Sequence, residues 1–176
     1  MKTSIALIGF MGVGKTAVGR ILAEKLGREF VETDALIEQR AGKSIPQIFA
    51  QDGEIAFREL EIEVAKEVAG RKNLVIACGG GIVLNKINID RLKKESVIVY
   101  LKTSTSVILR RLADDGDERP LLKAGDRAAR IEELLKFRKP FYERAADITI
   151  DTSRLSVAAV AERIIEKLKQ DASFHI

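Results

Sequence analysis

Polar and apolar positions along the chain fall into two alternating patterns. Short stretches at Ser4 to Ile8, Glu29 to Glu32, Asn73 to Cys78, Ser96 to Leu101 and Asp147 to Ile150 have the length of strands, and the central one carries the unbroken run Leu74-Val75-Ile76-Ala77. Between them, apolar residues recur every three to four positions. Val18, Ile21, Leu22 and Leu26 do so over 17–26, Phe57, Leu60, Val64 and Val68 over 54–69, and Ile131, Leu134 and Leu135 over 126–139. Val157, Ala161, Ile164, Ile165 and Leu168 mark a last helix, and shorter helices are expected over 35–40, after Ser44-Ile45-Pro46, over 86–94 and over 105–112. Strands that alternate with helices predict an α/β fold of three layers, a five-stranded parallel sheet with helices on both faces.

Punctuation agrees with these boundaries. Gly27 and Gly70 close helices, and Pro140 is expected to kink or end the helix before it. Thr33-Asp34 stands where the second strand gives way to a helix, so Asp34 can cap that helix while lying at a strand end, where open α/β sheets place ligands. Residues 171–176 are expected to be a frayed tail in which His175 is inert. With 176 residues and no repeat or linker, 1–176 is expected to be a single domain.

Charge adds little. The net charge of +4 would fit a nucleic-acid partner, but acidic and basic residues are interleaved, as in Glu59 to Lys66, and aromatic residues are 5% with no Trp. No nucleic acid is expected. No apolar run approaches the ~18 residues of a spanning helix, so no membrane association is expected either. Cys78 is the only cysteine and no leader-like segment is present, which points to a cytoplasmic protein, with a monomer as the expected state.

The chemistry is concentrated in Gly9-Phe-Met-Gly-Val-Gly-Lys-Thr16, which fills the phosphate-loop pattern and lies between a predicted strand and a predicted helix. A chain of this length meets that pattern by chance only about once in a couple of hundred sequences. Its glycines let backbone N–H groups of Gly12, Val13, Gly14, Lys15, Thr16 and Ala17 curl around phosphates at a helix start. Lys15 is expected to reach the β- and γ-phosphates of a nucleoside triphosphate, and Thr16 to offer a hydroxyl to Mg²⁺.

Further residues ask for a ligand. Arg58 flanks an apolar stripe near a helix start, where the helix dipole does not favour a cation, and Arg138 shares a helix side with core residues. Gly79-Gly80-Gly81 at a strand end would bring bare backbone to a ligand. The polar segment 113–124, with Arg119 beside Pro120, has the composition of a mobile lid, and a helix before it carries Arg110-Arg111. A GTPase is unlike this chain, because Asn85-Lys86-Ile87-Asn88 lacks the Asp that would accept from a guanine base.

Taken together, the phosphate loop, Thr33-Asp34, Asp52-Gly53-Glu54 to Phe57-Arg58, Gly79 to Gly81, Arg119-Pro120-Leu121-Leu122 and Arg138-x-Pro140-x-Tyr142 resemble the shikimate kinase family from end to end. The resemblance implies a P-loop kinase fold and phosphorylation of the 3-hydroxyl of shikimate by ATP. It implies that Asp34 holds shikimate hydroxyls, that Arg58 and Arg138 grip its carboxylate, and that Gly80 and Gly81 add backbone contacts, with 33–60 as the acceptor-binding segment. Arg119 would meet the ATP phosphates, Arg110 and Arg154 would lie near adenine, and Lys15, Asp34 and Arg119 would carry catalysis. Where the family usually has Asp near Mg²⁺ this chain has Glu32, and where it commonly has Thr or Ser before the glycines this chain has Ala77-Cys78. The rivals are a kinase for gluconate or a nucleoside monophosphate, and a nucleotide-binding module without catalysis.

Overall fold

A computed structural model describes residues 1–114 and 127–176. Its strands are β1 (Ser4–Ile8), β2 (Glu29–Glu32), β3 (Leu74–Ala77), β4 (Ser96–Lys102) and β5 (Ile148–Asp151). The helices are α1 (Lys15–Leu26), α2 (Thr33–Ala41), α3 (Ile45–Gln51), α4 (Gly53–Ala69), α5 (Lys86–Leu92), α6 (Thr105–Asp114), α7 (Arg127–Ala145) and α8 (Val157–Lys169), with a 3-10 turn at Ile82–Leu84.

All strand pairs are parallel and the order across the sheet is β2-β3-β1-β4-β5. Strand β1 lies in the middle and is buried along its whole length, because helices cover both faces of the sheet. Register decides where the chemistry emerges. Leu7 pairs with Ala77, and Ala77 pairs with Glu32, so β1, β3 and β2 end side by side. The chain then leaves them as the phosphate loop, the glycine run and Thr33-Asp34 respectively, at one edge of the sheet.

Local signals set the helix ends. Ser44 and Gln47 form a reciprocal capping box on α3, and the Ser156 hydroxyl accepts from the Ala159 N–H at the start of α8. Gly27 and Gly42 close α1 and α2 in the left-handed conformation. No helix among the described residues is long and apolar enough to cross a membrane.

Three expectations are corrected. Pro140 does not end its helix, since α7 runs from Arg127 to Ala145 through it. The bond it cannot donate would go to the carbonyl of exposed Lys136, which water can reach, and buried Tyr142 and Ala145 hold the next turn against the core. The 171–176 tail is not frayed: Phe174 is 4% exposed and pairs with Lys2. The His175 N–H donates to the Lys2 carbonyl, and Arg28 donates to the His175 carbonyl. Asp34 does not cap α2. The helix begins at Thr33 with Glu32 in the cap position, which places Asp34 inside the first turn.

Candidate active site

The phosphate loop takes the shape its glycines permit. Gly12 and Gly14 have φ of 83° and 99°, in the left-handed region that residues with a Cβ avoid. Gly14 caps α1 without a side chain and the first turn holds no acid, so the N–H groups at that helix start face the adjoining cavity uncapped. Lys15 folds back over the loop, donating to the carbonyls of Gly9 and Phe10. Arg111, on α6, donates to the Gly12 carbonyl at 3.1 Å from the other side.

The cavity over this loop has a volume of about 870 Å³, and its walls include Lys15, Thr16, Glu32, Asp34, Arg111 and Leu155. At its mouth the Thr16 hydroxyl donates to Oε2 of Glu32 at 2.8 Å, and Arg20 lies 3.7 Å from the other carboxylate oxygen. The longer acid therefore still reaches the loop hydroxyl. Cys78 also lines the cavity, and burial pushes its thiol up to about 12, so it stays neutral.

A second cavity of about 110 Å³ adjoins the first and is walled by Asp34, Phe57, Arg58, Glu61, Arg138 and the glycine run. Met11, Asp34, Gly79 and Gly80 belong to both. The glycines serve close approach here. A Cβ on Gly79 would stand 2.5 Å from Oδ1 of Asp34, one on Gly80 3.3 Å from Nη1 of Arg138, and one on Gly81 would run into the Arg58 guanidinium. Thr33 secures the run by accepting from the Gly79 N–H at 2.8 Å, and Tyr142 donates to the Gly80 carbonyl at 2.6 Å.

Electrostatics single out the same cavity. Arg58 donates to Oε1 of Glu61 at 3.1 Å and lies 3.3 Å from Glu54. Glu61 is 0% exposed, and burial pushes its carboxyl up to about 7 against the pull of Arg58. Burial also raises Asp34, against the nearby Lys15 ammonium. Among the described residues, Oδ1 of Asp34, Oε2 of Glu61 and Nε of Arg138 are buried with no hydrogen-bond partner. Three orphaned polar atoms around one small cavity fit a polar, hydrogen-bonding ligand.

The shikimate kinase family profile matches residues 11–169. The chain belongs to the shikimate kinase family. It is 47% identical over 167 residues to the shikimate kinase of Pelotomaculum thermopropionicum, covering 95% of this chain and 96% of that one. The shikimate kinase of Thermodesulfovibrio yellowstonii is also 47% identical over 167 residues, with 95% of each chain covered. Among solved structures, shikimate kinase from Acinetobacter baumannii in complex with shikimate matches with a TM-score of 0.92 and 40% identity over 98% of this chain and 96% of that one. Shikimate kinase from Aquifex aeolicus matches with 0.84 and 36%, covering 97% and 98%. A gluconokinase from Sinorhizobium meliloti shares the fold alone, at 19% identity and a TM-score of 0.57 over 97% of each chain. The chain is accordingly an ATP-dependent shikimate kinase with the P-loop kinase fold.

Most residues singled out from the shikimate kinase pattern converge here. Lys15, Thr16, Glu32 and Asp34 line the larger cavity, and Arg58, Gly80, Gly81 and Arg138 the smaller. Arg110 is exposed and does not line the larger cavity, whereas its neighbour Arg111 does. Arg154 is exposed beside Thr152 and Leu155, which do line it. Arg119 and most of the 113–124 segment lie outside the described residues. Sequence reasoning missed Glu61. The available signal was an acid three residues after Arg58 and three before Val64, on the apolar stripe itself.

Proposed function

We propose that shikimate occupies the smaller cavity, with its carboxylate between Arg58 and Arg138 and its 3-hydroxyl directed past Asp34 toward the γ-phosphate of ATP in the larger one. The observation that carries this reading is the shared wall: Asp34 and the glycine run face both cavities, so an acceptor and a phosphate chain held in them meet at one carboxylate. The three orphaned polar atoms then gain partners when the acceptor binds.

In this reading Asp34 orients the acceptor hydroxyl and takes its proton as the oxygen forms its new bond to phosphorus. Its raised affinity for protons suits that task. The bond between the γ-phosphorus and the bridging oxygen breaks and ADP departs. Lys15 leaves the loop carbonyls that it caps and neutralises charge on the transferred group, with Arg119 assigned the same task from the sequence. Because such transition states are loose, positioning and charge neutralisation matter more than proton abstraction.

Thr16 and Glu32 present hard oxygen donors 2.8 Å apart at the mouth of the nucleotide cavity, a donor set that suits Mg²⁺ held jointly with phosphates and waters. The ion would supply charge neutralisation on the phosphates. Contacts from Arg110 and Arg154 to adenine, a monomeric state and a cytoplasmic location complete the proposal.

The test is a coupled ADP-release assay with ATP and Mg²⁺, comparing shikimate with gluconate, a nucleoside monophosphate panel and no acceptor. Turnover confined to shikimate is expected. Turnover on gluconate alone would keep the nucleotide site and overturn the acceptor assignment.

A further inference from the structure

Tyr142 closes the Arg138-x-Pro140-x-Tyr142 motif yet lines neither substrate cavity. It is 0% exposed on α7, and its hydroxyl donates to the Gly80 carbonyl at 2.6 Å. Burial pushes the phenol well above its ordinary range, so it stays protonated and able to donate at neutral pH. The Arg138 guanidinium, one turn earlier on α7, adds a hydrogen bond and a positive charge to the same hydroxyl.

What Tyr142 holds is a peptide that no other side chain holds among the described residues. Gly79 is fixed by Thr33, which accepts from its N–H at 2.8 Å, and Ile82 by buried Asn88, whose Nδ2 donates to its carbonyl at 3.1 Å. The Ile82 N–H also donates to the Gly79 carbonyl at 3.1 Å. Between these anchors stands the Gly80-Gly81 peptide, with a glycine on each side, so its plane meets little steric resistance to turning over. The bond from Tyr142 decides which way it faces.

The peptide is trans, so its carbonyl and its N–H point in opposite directions. A Gly80 carbonyl drawn behind the wall to Tyr142 therefore turns the Gly81 N–H toward the smaller cavity, which Gly80 and Gly81 line. Gly81 is buried, and its N–H finds no acceptor among the described residues. Buried backbone donors are nearly always paired, and an unpaired one on a cavity wall is suited to a ligand.

We infer that Tyr142 is a positioning residue for the acceptor: its hydroxyl fixes the Gly80-Gly81 peptide so that the Gly81 N–H is aimed into the smaller cavity. This rests on the placement of shikimate in that cavity. Tyr142 itself touches neither the reacting atoms nor the nucleotide.

Tyr142→Phe removes the hydroxyl and keeps the ring, which stacks on Tyr100 with centroids 5.1 Å apart. The Michaelis constant for shikimate is expected to rise about tenfold, with kcat and the Michaelis constant for ATP within about twofold of the parent. Tyr100→Phe takes a hydroxyl from the other ring of the stack and should match the parent in all three. Amide NMR of the isotope-labelled protein, with shikimate but no ATP, then follows the route. In the parent the Gly81 amide should shift and become protected from hydrogen exchange at saturating shikimate, and in Tyr142→Phe that protection should be largely lost. A parent-like Michaelis constant in Tyr142→Phe overturns the inference. So does a weakened variant whose Gly81 amide responds as in the parent, because Tyr142 would then act through Arg138 alone. The parent arm needs no variant, so poor folding of Tyr142→Phe cannot shield the inference. If shikimate perturbs the Phe57 and Arg58 amides of the parent but not Gly81, the role of Tyr142 falls and the placement of the acceptor stands. If it perturbs none of the three, the placement falls and the role of Tyr142 with it.

Discussion

Arg58 and the buried Glu61 form an ion pair that holds only half of the acid: Oε1 accepts from the Arg58 guanidinium at 3.1 Å, while Oε2 is buried without a partner among the described residues. Such an arrangement costs stability, because an ionised carboxylate away from water needs more than one hydrogen bond.

The cost has a sign and a pH range. The Glu61 carboxyl is pushed from 4.5 to about 7, so between those values the folded chain holds a proton that the unfolded chain has released. Its contribution to stability is therefore fully present below about 4.5 and is lost as pH rises through about 7. We expect Glu61→Gln to remove this slope and to stabilise the ligand-free protein at pH 8 by up to a few kcal/mol, with a raised Michaelis constant for shikimate because Arg58 loses its anchor. Thermal denaturation from pH 5 to pH 8 checks it. An unchanged pH slope in the variant would show that Glu61 is not the titrating group.

Asp34→Asn keeps the shape of the side chain and removes its basicity. Turnover is expected to fall by about a hundredfold or more, with ATP affinity near that of the parent. Steady-state rates and nucleotide titration measure the two separately, and near-normal turnover would remove Asp34 from the reaction.

The glycine run allows a sharper dissection. None of Gly79, Gly80 and Gly81 has a positive φ, so alanine there strains no backbone and acts only through its Cβ. Gly79→Ala displaces the Asp34 carboxylate and should lower kcat, by about a hundredfold if the group moves by an ångström. Gly81→Ala displaces the Arg58 guanidinium and should mainly raise the Michaelis constant for shikimate. Identical kinetic defects in the two variants would contradict this division.

Phe174 tests the packed tail. Its burial against the start of the chain, with Arg28 5.7 Å over its ring, predicts a loss of about 3 kcal/mol in Phe174→Ala, a Tm lower by roughly 6 to 12 °C. Activity at low temperature should be retained. An unchanged Tm would return the tail to the frayed state that its position suggests.

How much the sequence disclosed follows from the range of each interaction. The phosphate loop, Asp34 and the glycine run were legible because each is a local backbone demand written in neighbouring residues: glycines where a Cβ would strain or collide, an acid where a strand ends. Arg58 and Arg138 were legible as charges in apolar settings. Glu61 escaped because the Glu59 to Lys66 stretch is rich in charge, and only burial separates Glu61 from its solvated neighbours. Pro140 and Phe174 misled for another reason. Helix continuation past a proline, and the fate of a short terminal segment, are decided by tertiary contacts with Gly80 and Lys2, far away in the chain.

The wall common to the two substrate cavities also bears on how such an enzyme can diverge. Under the proposed assignment of the two cavities, a change at Met11, Asp34, Gly79 or Gly80 alters the nucleotide side and the acceptor side together, so drift toward a new acceptor through these positions would carry a penalty in ATP handling. Ile45, Phe49, Phe57, Arg58, Glu61 and Arg138 face the smaller cavity alone. Under the same assignment they form the evolvable part of the site, where acceptor preference would be rewritten one residue at a time over an untouched phosphate-transfer apparatus.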